Sequence, residues 1–367
     1  MNGSDQDRDA DPERFTLQIE KIVPGGLGLG FHEGVAVFVP FTAPGEEILA
    51  EVTRRRPGTL FARCVQILAP GAGRVDPGCD LFTRCGGCQL RHLDGGLQRT
   101  VKGEFVRETL SRFPNLRERE PSPIWAAGGD GYRCRAGFKV RWVGGRLLLG
   151  FFQAASHQIA DLTAPCPVLD PRLNNILPSL RRVITDLSVR QRLPQVDAVV
   201  GEEGLGLIVH LLAAPTPRDL TLLQQFARQQ GVIQLWVQRG RKSGMQPVVQ
   251  DGELSYRVDA HRFHFHPGDF IQAHQSGNSL LLREVLRQGG SGAVAWDLFC
   301  GMGNFTLPLA QRFAHLLGVD GYAPALQRAE HNVVGSGPSS SVRFRCLDLF
   351  QEQEIARLSR EESADLV

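Results

Sequence analysis

No apolar run reaches the roughly 18 residues a helix needs to cross a bilayer, so the sequence predicts no spanning segment. An excess of one charge is also lacking. Lys and Arg number 41 against 39 Asp and Glu, a formal net charge of +2, so any nucleic-acid surface must be a local patch. The opening stretch, Met1 to Arg14, is polar and rich in Asp; it suits neither a secretory nor a mitochondrial leader and reads as a disordered lead-in. Eight cysteines without a secretory signal point to a reducing cytoplasm, where thiols or metal ligands are favoured over disulfides. The middle of the chain carries no phosphate-loop motif and no nucleophile–His–carboxylate triad.

The cysteines that are present carry the most information. Cys79 is followed by Cys85-Gly86-Gly87-Cys88, with Cys166 far downstream. Four thiolates suffice for an iron–sulfur cluster or a zinc ion, and the Gly-Gly turn lets two sulfurs reach one centre. The C-x3-C-x2-C run of radical enzymes is absent, as is the second C-x2-C pair of a zinc ribbon. Spacing alone leaves three readings open: an iron–sulfur cluster, zinc, or ordinary buried cysteines.

Along the chain, residues 15–70 read as short alternating strands broken by glycine turns, the pattern of a small OB-like barrel of about five strands. Arg54, Arg55 and Arg56 within it are best explained as a solvated strand end. The cysteine loop occupies 71–94, and a helix is expected from Leu97 to Phe113. From Gly131 a strand is expected in which Arg133, Arg135, Lys139 and Arg141 share one face, while Cys134, Ala136, Phe138, Val140 and Trp142 share the other. Four cations on one face call for a phosphate backbone or for carboxylates from a neighbouring strand; both remain open. A helix is expected over Pro217–Gln230 and a strand over Val232–Gln238, giving an α+β region over 95–265. In the histidine-rich stretch 261–266, His264 and His266 alternate with Phe263 and Phe265; this reads as a strand with one polar face rather than a zinc site.

The last third, 266–367, changes character. A helix is expected over Ser276–Arg287, then a buried strand, Ala293 to Phe299. It runs into Cys300-Gly301-Met302-Gly303-Asn304 and a helix from Phe305 to Ala310. A second strand, His315 to Val319, ends at Asp320, and a third, Val342 to Cys346, is followed by Asp348. Strand, Gly-x-Gly, helix, strand and acidic residue in that order describe the first half of a doubly wound nucleotide-binding sheet. The third glycine of the dinucleotide fingerprint is missing, which argues against NAD and leaves room for S-adenosylmethionine.

Together these pieces resemble the RNA uracil-C5 methyltransferases, most closely the bacterial 23S rRNA type with an N-terminal TRAM barrel and a [4Fe-4S] cluster. The resemblance covers about residues 15 to 367. It rests on the cysteine loop with Cys166-Pro167, on Gly131-Tyr132-Arg133 with Arg135-Ala136, on Asp269-Phe270-Ile271-Gln272, and on the run from Asp297 to Ala310. It implies a multidomain protein: TRAM barrel, iron–sulfur loop, central α+β domain binding RNA, and a Rossmann-like methyltransferase domain. It implies Cys79, Cys85, Cys88 and Cys166 as cluster ligands, the cluster having a structural role. It further implies S-adenosylmethionine contacts from Gln272, Phe299, Asn304, Asp320 and Asp348, around the turn made by Gly301 and Gly303. The family often has Glu and Asn where Asp320 and Asp348 stand, so Asp348 is the weaker transfer; His274 receives no role. A monomer acting in the cytoplasm on 23S rRNA is expected.

In this family a cysteine thiolate adds to uracil C6 so that C5 can take the methyl group, and a Glu further on removes the C5 proton. Those residues lie in segments that do not occur among residues 1–367, so no catalytic residue is assigned. Cys64, Cys134, Cys300 and Cys346 read as core residues. The stretch Ser363 to Val367 reads as the opening of a fourth strand. The methyltransferase domain is therefore expected to be truncated, marginally stable and inactive on its own. The alternatives are a non-catalytic iron–sulfur RNA-binding module, or a relative that methylates tRNA.

Overall fold

The computed structural model describes residues 12–123, 125, 129–240, 244–336, 341–361 and 363–367, in two compact units. The first comprises residues up to Ile124 together with Phe152–Ala160; the second comprises Trp125–Phe151 and Asp161–Val367. Residues 1–11 of the expected lead-in lie outside the described residues, and Arg14 already opens the first strand.

The first unit begins with strands β1 (Arg14–Gln18), β2 (Lys21–Val23), β3 (Leu27–His32), β4 (Val35–Pro40), β5 (Glu47–Arg56) and β6 (Thr59–Ala69). Their order is β1-β5-β6-β4-β3-β2. Its end strands, β1 and β2, are separated only by Ile19 and Glu20, so the sheet returns to the segment it began with. The backbone of those two residues continues the pairing: Ile19 N donates to Glu46 O and Glu20 N to Leu29 O, both at 2.8 Å. Closure brings β3 so near β1 that a Cβ on Gly30 would lie 2.2 Å from Gln18 O. Three register shifts along β5 and β6 supply the bend that such curvature requires. Alternate residues point inward, and Leu17, Ile19, Val37, Val39, Ile48 and Leu60 fill the interior. Helix α1 (Gly95–Leu110) follows the cysteine loop, its first turn capped by Asp94, whose carboxylate accepts from Leu97 N. The arginine run proves intramolecular: Arg54 lies 4.2 Å over the Phe61 ring and Arg55 pairs with Glu13.

In the second unit the sheet is built from β7 (Arg135–Val143), β8 (Arg146–Phe152), β9 (Ile159–Asp161), then, after helix α2 (Pro171–Asp186), β10 (Gln195–Val200) and β11 (Leu205–Leu211). Helix α3 (Pro217–Gln230), β12 (Val232–Arg239) and β13 (Met245–Gln250) complete it, in the order β13-β12-β11-β10-β7-β8-β9. The chain changes unit within β8 and again within β9. Helix α2 turns Leu173, Ile176, Leu177, Leu180, Val183 and Ile184 inward, the i, i+3, i+4 stripe of an amphipathic helix. Helix α3 is bounded by Thr216, which forms a capping box with Asp219, and by Gly231 at φ 67°.

A hairpin of β14 (Leu254–Val258) and β15 (His261–Phe265) leads to helix α4 (Gln275–Gly289). The remaining elements are β16 (Gly292–Leu298), α5 (Thr306–Leu309), β17 (Phe313–Asp320), α6 (Ala323–Ser336), β18 (Ser341–Cys346) and α7 (Glu352–Glu361). Strands β16, β17 and β18 form a parallel sheet with β17 in the middle. On the other edge of β16, Leu366 bridges Ala295 in parallel, and Trp296 N donates to Leu366 O at 2.9 Å. The chain thus turns to both sides of β16, which makes the carboxyl end of that strand the crevice where an α/β sheet takes its ligand.

Candidate cofactor and RNA site

The carboxyl ends of β16, β17 and β18 are level, with Leu298 opposite Val319 and Asp320 opposite Cys346. Phe299, Gly301, Gly303, Asn304, Asp320 and Asp348, expected to meet a cofactor, all follow or end these strands. The turn after β16 is tight: Phe299, Gly301 and Gly303 have φ of 58°, 54° and 90°. Such angles are ordinary for glycine and strained for phenylalanine, and strain of that kind concentrates at functional sites. Cys300 N donates to Val319 O at 3.0 Å, and Gly301 N donates to Asp320 Oδ2 at 3.0 Å. The other oxygen of Asp320 accepts from Tyr322 N at 2.8 Å, which fixes the carboxylate at the edge of the crevice. The strained turn also presents its aromatic ring outward: Phe299 is 58% exposed and packs obliquely on Phe350, 88% exposed, with ring centres 5.6 Å apart. Asp348 is exposed and accepts from Phe350 N and from Gln351 Nε2, so it shapes the turn into α7.

Asn304 sits in this crevice with its amide engaged by the protein. It exchanges two hydrogen bonds with the buried Asn278, 2.8 and 2.9 Å, and its Oδ1 also accepts from Tyr256 Oη at 3.0 Å. Beneath the turn, the buried Asp297 accepts from Thr306 Oγ1 at 2.6 Å. Burial pushes its pKa up to about 6, opposed by the Thr306 bonds and reinforced by Asp320. Neither Asn278 nor Thr306 was visible as a site residue in the sequence.

The segment before α4 meets the same region. Gln272 is half-buried, and its backbone carbonyl accepts from the Cys134 thiol at 3.5 Å. Asp269 is buried against Arg328 of α6 and accepts from His266 N at 2.7 Å. His274, given no role by sequence, caps α4 by accepting from Gly277 N and stacks on Tyr132 with ring centres 4.6 Å apart. His266 is held by Trp236, and burial lowers its pKa to about 4.

The basic strand differs from expectation in two ways. It starts at Arg135, so Arg133 precedes it, bridged to Leu169 and His274. Residues 135–140 do alternate in burial, with Ala136, Phe138 and Val140 inward. The cations opposite them are partly engaged within the protein, however. Arg135 donates to the backbone carbonyl of Asp269, and Lys139 to Gln195 on β10. Arg133 and Arg141 are exposed. The neighbouring strand β10 therefore contributes the Gln195 amide oxygen and the Asp197 carboxylate opposite Gly137, while the carbonyl comes from Asp269, ahead of α4.

The cysteine loop is tied to the six-stranded sheet at its stem. Arg74 bridges Leu93, Asp94 N donates to Gly73 O at 2.8 Å, and Arg74 pairs with the buried Glu46. The buried His92 reaches Thr42 O at 2.9 Å. Above the stem, Cys79, Cys85 and Cys88 are half-buried. Burial raises the Cys85 pKa; the Gly87 backbone N–H, bonded to its sulfur, opposes this, and a charge on Cys79 adds to it. A Cβ on Gly86 would lie 3.2 Å from Phe152 O, so a side chain there would have to push the neighbouring backbone away by a few tenths of an ångström. Cys166 belongs to the second unit, where Asn174 brackets its backbone by accepting from its N–H and donating to its carbonyl, both at 2.9 Å. Of the remaining cysteines, Cys134 and Cys300 are buried as expected and Cys64 is half-buried. Cys346 is exposed at the end of β18, contrary to the expectation of a core position; among the described residues β18 is the edge strand of its sheet.

Residues 98–345 match the family model described as tRNA (uracil-5-)-methyltransferase. The chain is 35% identical over 344 residues to the 23S rRNA (uracil(1939)-C(5))-methyltransferase RlmD of Nitrosospira multiformis, covering 92% of this chain and 78% of that protein. It is 34% identical over 345 residues to the protein of the same name from Methylococcus capsulatus, covering 92% and 77%. Among solved structures, the Pyrococcus abyssi tRNA (uracil-54, C5)-methyltransferase in complex with S-adenosyl-L-homocysteine superposes with a TM-score of 0.66. It is 20% identical and covers 90% of this chain and 79% of that one, a likeness of fold. On sequence, then, the chain belongs to the RNA (uracil-C5)-methyltransferase family, that of the tRNA (uracil-5-)-methyltransferase model.

Proposed function

We propose that residues 1–367 hold S-adenosylmethionine and 23S rRNA for methylation of a uracil at C5. The observation that carries this reading is the strained Phe299–Gly303 turn at the carboxyl end of β16, with the Asp320 carboxylate fixed beside it. This geometry fits the cofactor: Gly301 has open space where a Cβ would stand, Asp320 retains acceptor capacity for ribose hydroxyls, and Phe299 offers a flat apolar surface to a purine. When bound, S-adenosylmethionine supplies an electrophilic methyl group. Asp320 and the turn orient it, while Asn278, Tyr256 and Thr306 hold the turn. Calorimetric titration with S-adenosylmethionine tests this. Binding at one site, weakened at least tenfold by Asp320→Ala, is expected; equal affinity of wild type and variant would count against it.

The first unit is read as a TRAM barrel carrying a [4Fe-4S] loop. The donor set fits: three half-buried thiols on a loop whose stem is rigid, with a backbone N–H already directed at one sulfur. The family resemblance implies Cys166 as the fourth ligand. The cluster, when bound, ties thiolates into one rigid centre, a structural role. Iron quantification after anaerobic purification should give about four irons per chain, falling to near zero in Cys85→Ser; retained iron in that variant would remove Cys85 from the ligand set.

The nucleophile is not assigned among the eight cysteines. Burial raises the thiol pKa of Cys64, Cys134 and Cys300, for Cys134 to about 11, the reverse of what a thiolate nucleophile needs. We infer that residues 1–367 bind cofactor and RNA without turnover. Tritium release from 5-labelled uridine in rRNA above a no-enzyme blank would overturn this. Filter binding to rRNA fragments against tRNA separates the two substrate classes, with tighter rRNA binding expected.

A further inference from the structure

We propose that Glu253, His264 and His331 form a binding site for a divalent transition metal of the zinc class, separate from the cysteine loop. Glu253 stands just before β14, His264 lies on β15 and His331 on α6, so three elements converge on one point. One ligand atom of each lies within 4.8 Å of the others. Glu253 Oε2 is 3.1 Å from His264 Nδ1 and 3.7 Å from His331 Nε2. Tetrahedral zinc with bonds near 2.0 Å has ligand–ligand edges of roughly 3.3 Å, between these two distances.

A plain ion pair explains the arrangement less well. His264 Nδ1 is buried and makes no hydrogen bond among the described residues, although a carboxylate oxygen is 3.1 Å away. The pair is thus close without forming a hydrogen bond, and its separation leaves room for a third atom shared by both groups. The two imidazoles stand nearly perpendicular, 82° between planes and 5.4 Å between centres, so they are not stacked on each other. The frame is also preset. Asn332, adjacent to His331 and buried, accepts from His264 N at 2.8 Å and donates to His264 O at 3.1 Å. That reciprocal pair locks α6 against β15 in the register that faces the two histidines together. Carboxylate and imidazole donors select zinc, nickel or copper over calcium or magnesium. The three ligands leave a fourth position for water or a further donor. Asn332 Nδ2 also reaches Met302 O at 3.2 Å, in the turn expected to hold the cofactor, so a metal that stiffens this corner would stiffen the turn.

Glu253 and His331 are 63% and 55% exposed, so Glu253→Gln and His331→Ala leave the core intact. Full-length wild type and both variants, freed of metal by chelator, are titrated with Zn2+ by calorimetry and with Co2+ by visible absorption. Metal bound by the cysteine loop is common to all three and cancels in the comparison. Each variant should bind one equivalent less Zn2+ than wild type, and the wild-type-minus-variant Co2+ spectrum should show weak d–d bands without thiolate charge-transfer intensity. Equal stoichiometry would reduce the cluster to an ion pair and overturn the proposal. A difference spectrum dominated by thiolate bands would also overturn it, since the lost metal would then be the cysteine loop's.

Discussion

At the residue scale, the informative groups are those held at a cost. Asp297 is a carboxyl buried under the cofactor turn with a pKa of about 6 against an ordinary 3.8. Between those values the folded chain keeps a proton that the unfolded chain has released. Stability therefore falls as pH rises through the window, and the loss is complete above about pH 6. A shift of that size corresponds to about 3 kcal/mol at most. Asp297→Asn keeps an acceptor for Thr306 and removes the charge, so it should melt several degrees above wild type at pH 8 and level with it near pH 3.5. A variant that melts lower at pH 8 would mean the charge is matched in the fold. Gly303 is the complementary case. Its φ of 90° and the 2.8 Å approach of Leu307 Cδ1 to an added Cβ make Gly303→Ala unfavourable by roughly 1–3 kcal/mol. Cofactor affinity should drop with it, measured by the same titration. Spacing alone placed Gly301 and Gly303 in the turn after β16 and Asp320 at the end of β17, because strand, turn and next strand fix their separation in sequence. The partners of Asn304 were illegible for the opposite reason: Tyr256 and Asn278 come from other elements, and only packing brings them to it.

At the scale of elements, what could be read depended on whether an element carried its own end signals. Helix α3 matched its expected span because Thr216, Pro217 and Gly231 mark both ends locally. Helix α2 was missed: Pro178 in its interior breaks the pattern, and six inward apolar residues hold it in spite of that. The short α5 runs for four residues where six were expected, because Phe305 and Ala310 serve as its flanking caps. For β7 the alternation was legible, but the engagement of its cations was not, since Asp269 and Gln195 are remote in sequence. That distinction makes a prediction about RNA. Arg141, exposed, should act on phosphate: Arg141→Ala should lower affinity for all sequences and reduce the slope of log affinity against log salt by about 0.7–0.9. Arg135, holding the Asp269 carbonyl, should lower the melting temperature when changed to Ala, with a smaller effect on the salt slope. The reverse ranking would mean Arg135 leaves its intramolecular bond to meet RNA. Salt titrations of filter binding, paired with thermal melts, decide between the two.

At the scale of the whole molecule, the two compact units each carry their own apolar interior. The first is centred on Leu17, Ile48 and Leu60, whereas the methyltransferase part of the second includes Ala295, Phe313 and Leu316. Cores without shared residues need not melt together, and multi-unit chains commonly depart from a single cooperative transition. The turn proposed for the cofactor lies entirely within the second unit, so S-adenosylmethionine bound there would stabilise that unit by mass action, about 2.7 kcal/mol at one hundred times its Kd. Scanning calorimetry should resolve two transitions, of which cofactor moves one. Hydrogen exchange should assign the moved transition by added protection at β16, β17 and α6, with β3 to β6 unchanged. The fourth-edge position of Leu366 sharpens this, because its bridge to Ala295 puts residues 365–367 on the strand that bears the turn. Deleting Asp365 to Val367 frees the Ala293 and Val294 backbone N–H groups that Asp365 now satisfies. That deletion should lower the cofactor-sensitive transition and leave the other in place. If both transitions fall together, the two units unfold as one, and their division into separate cores does not govern stability.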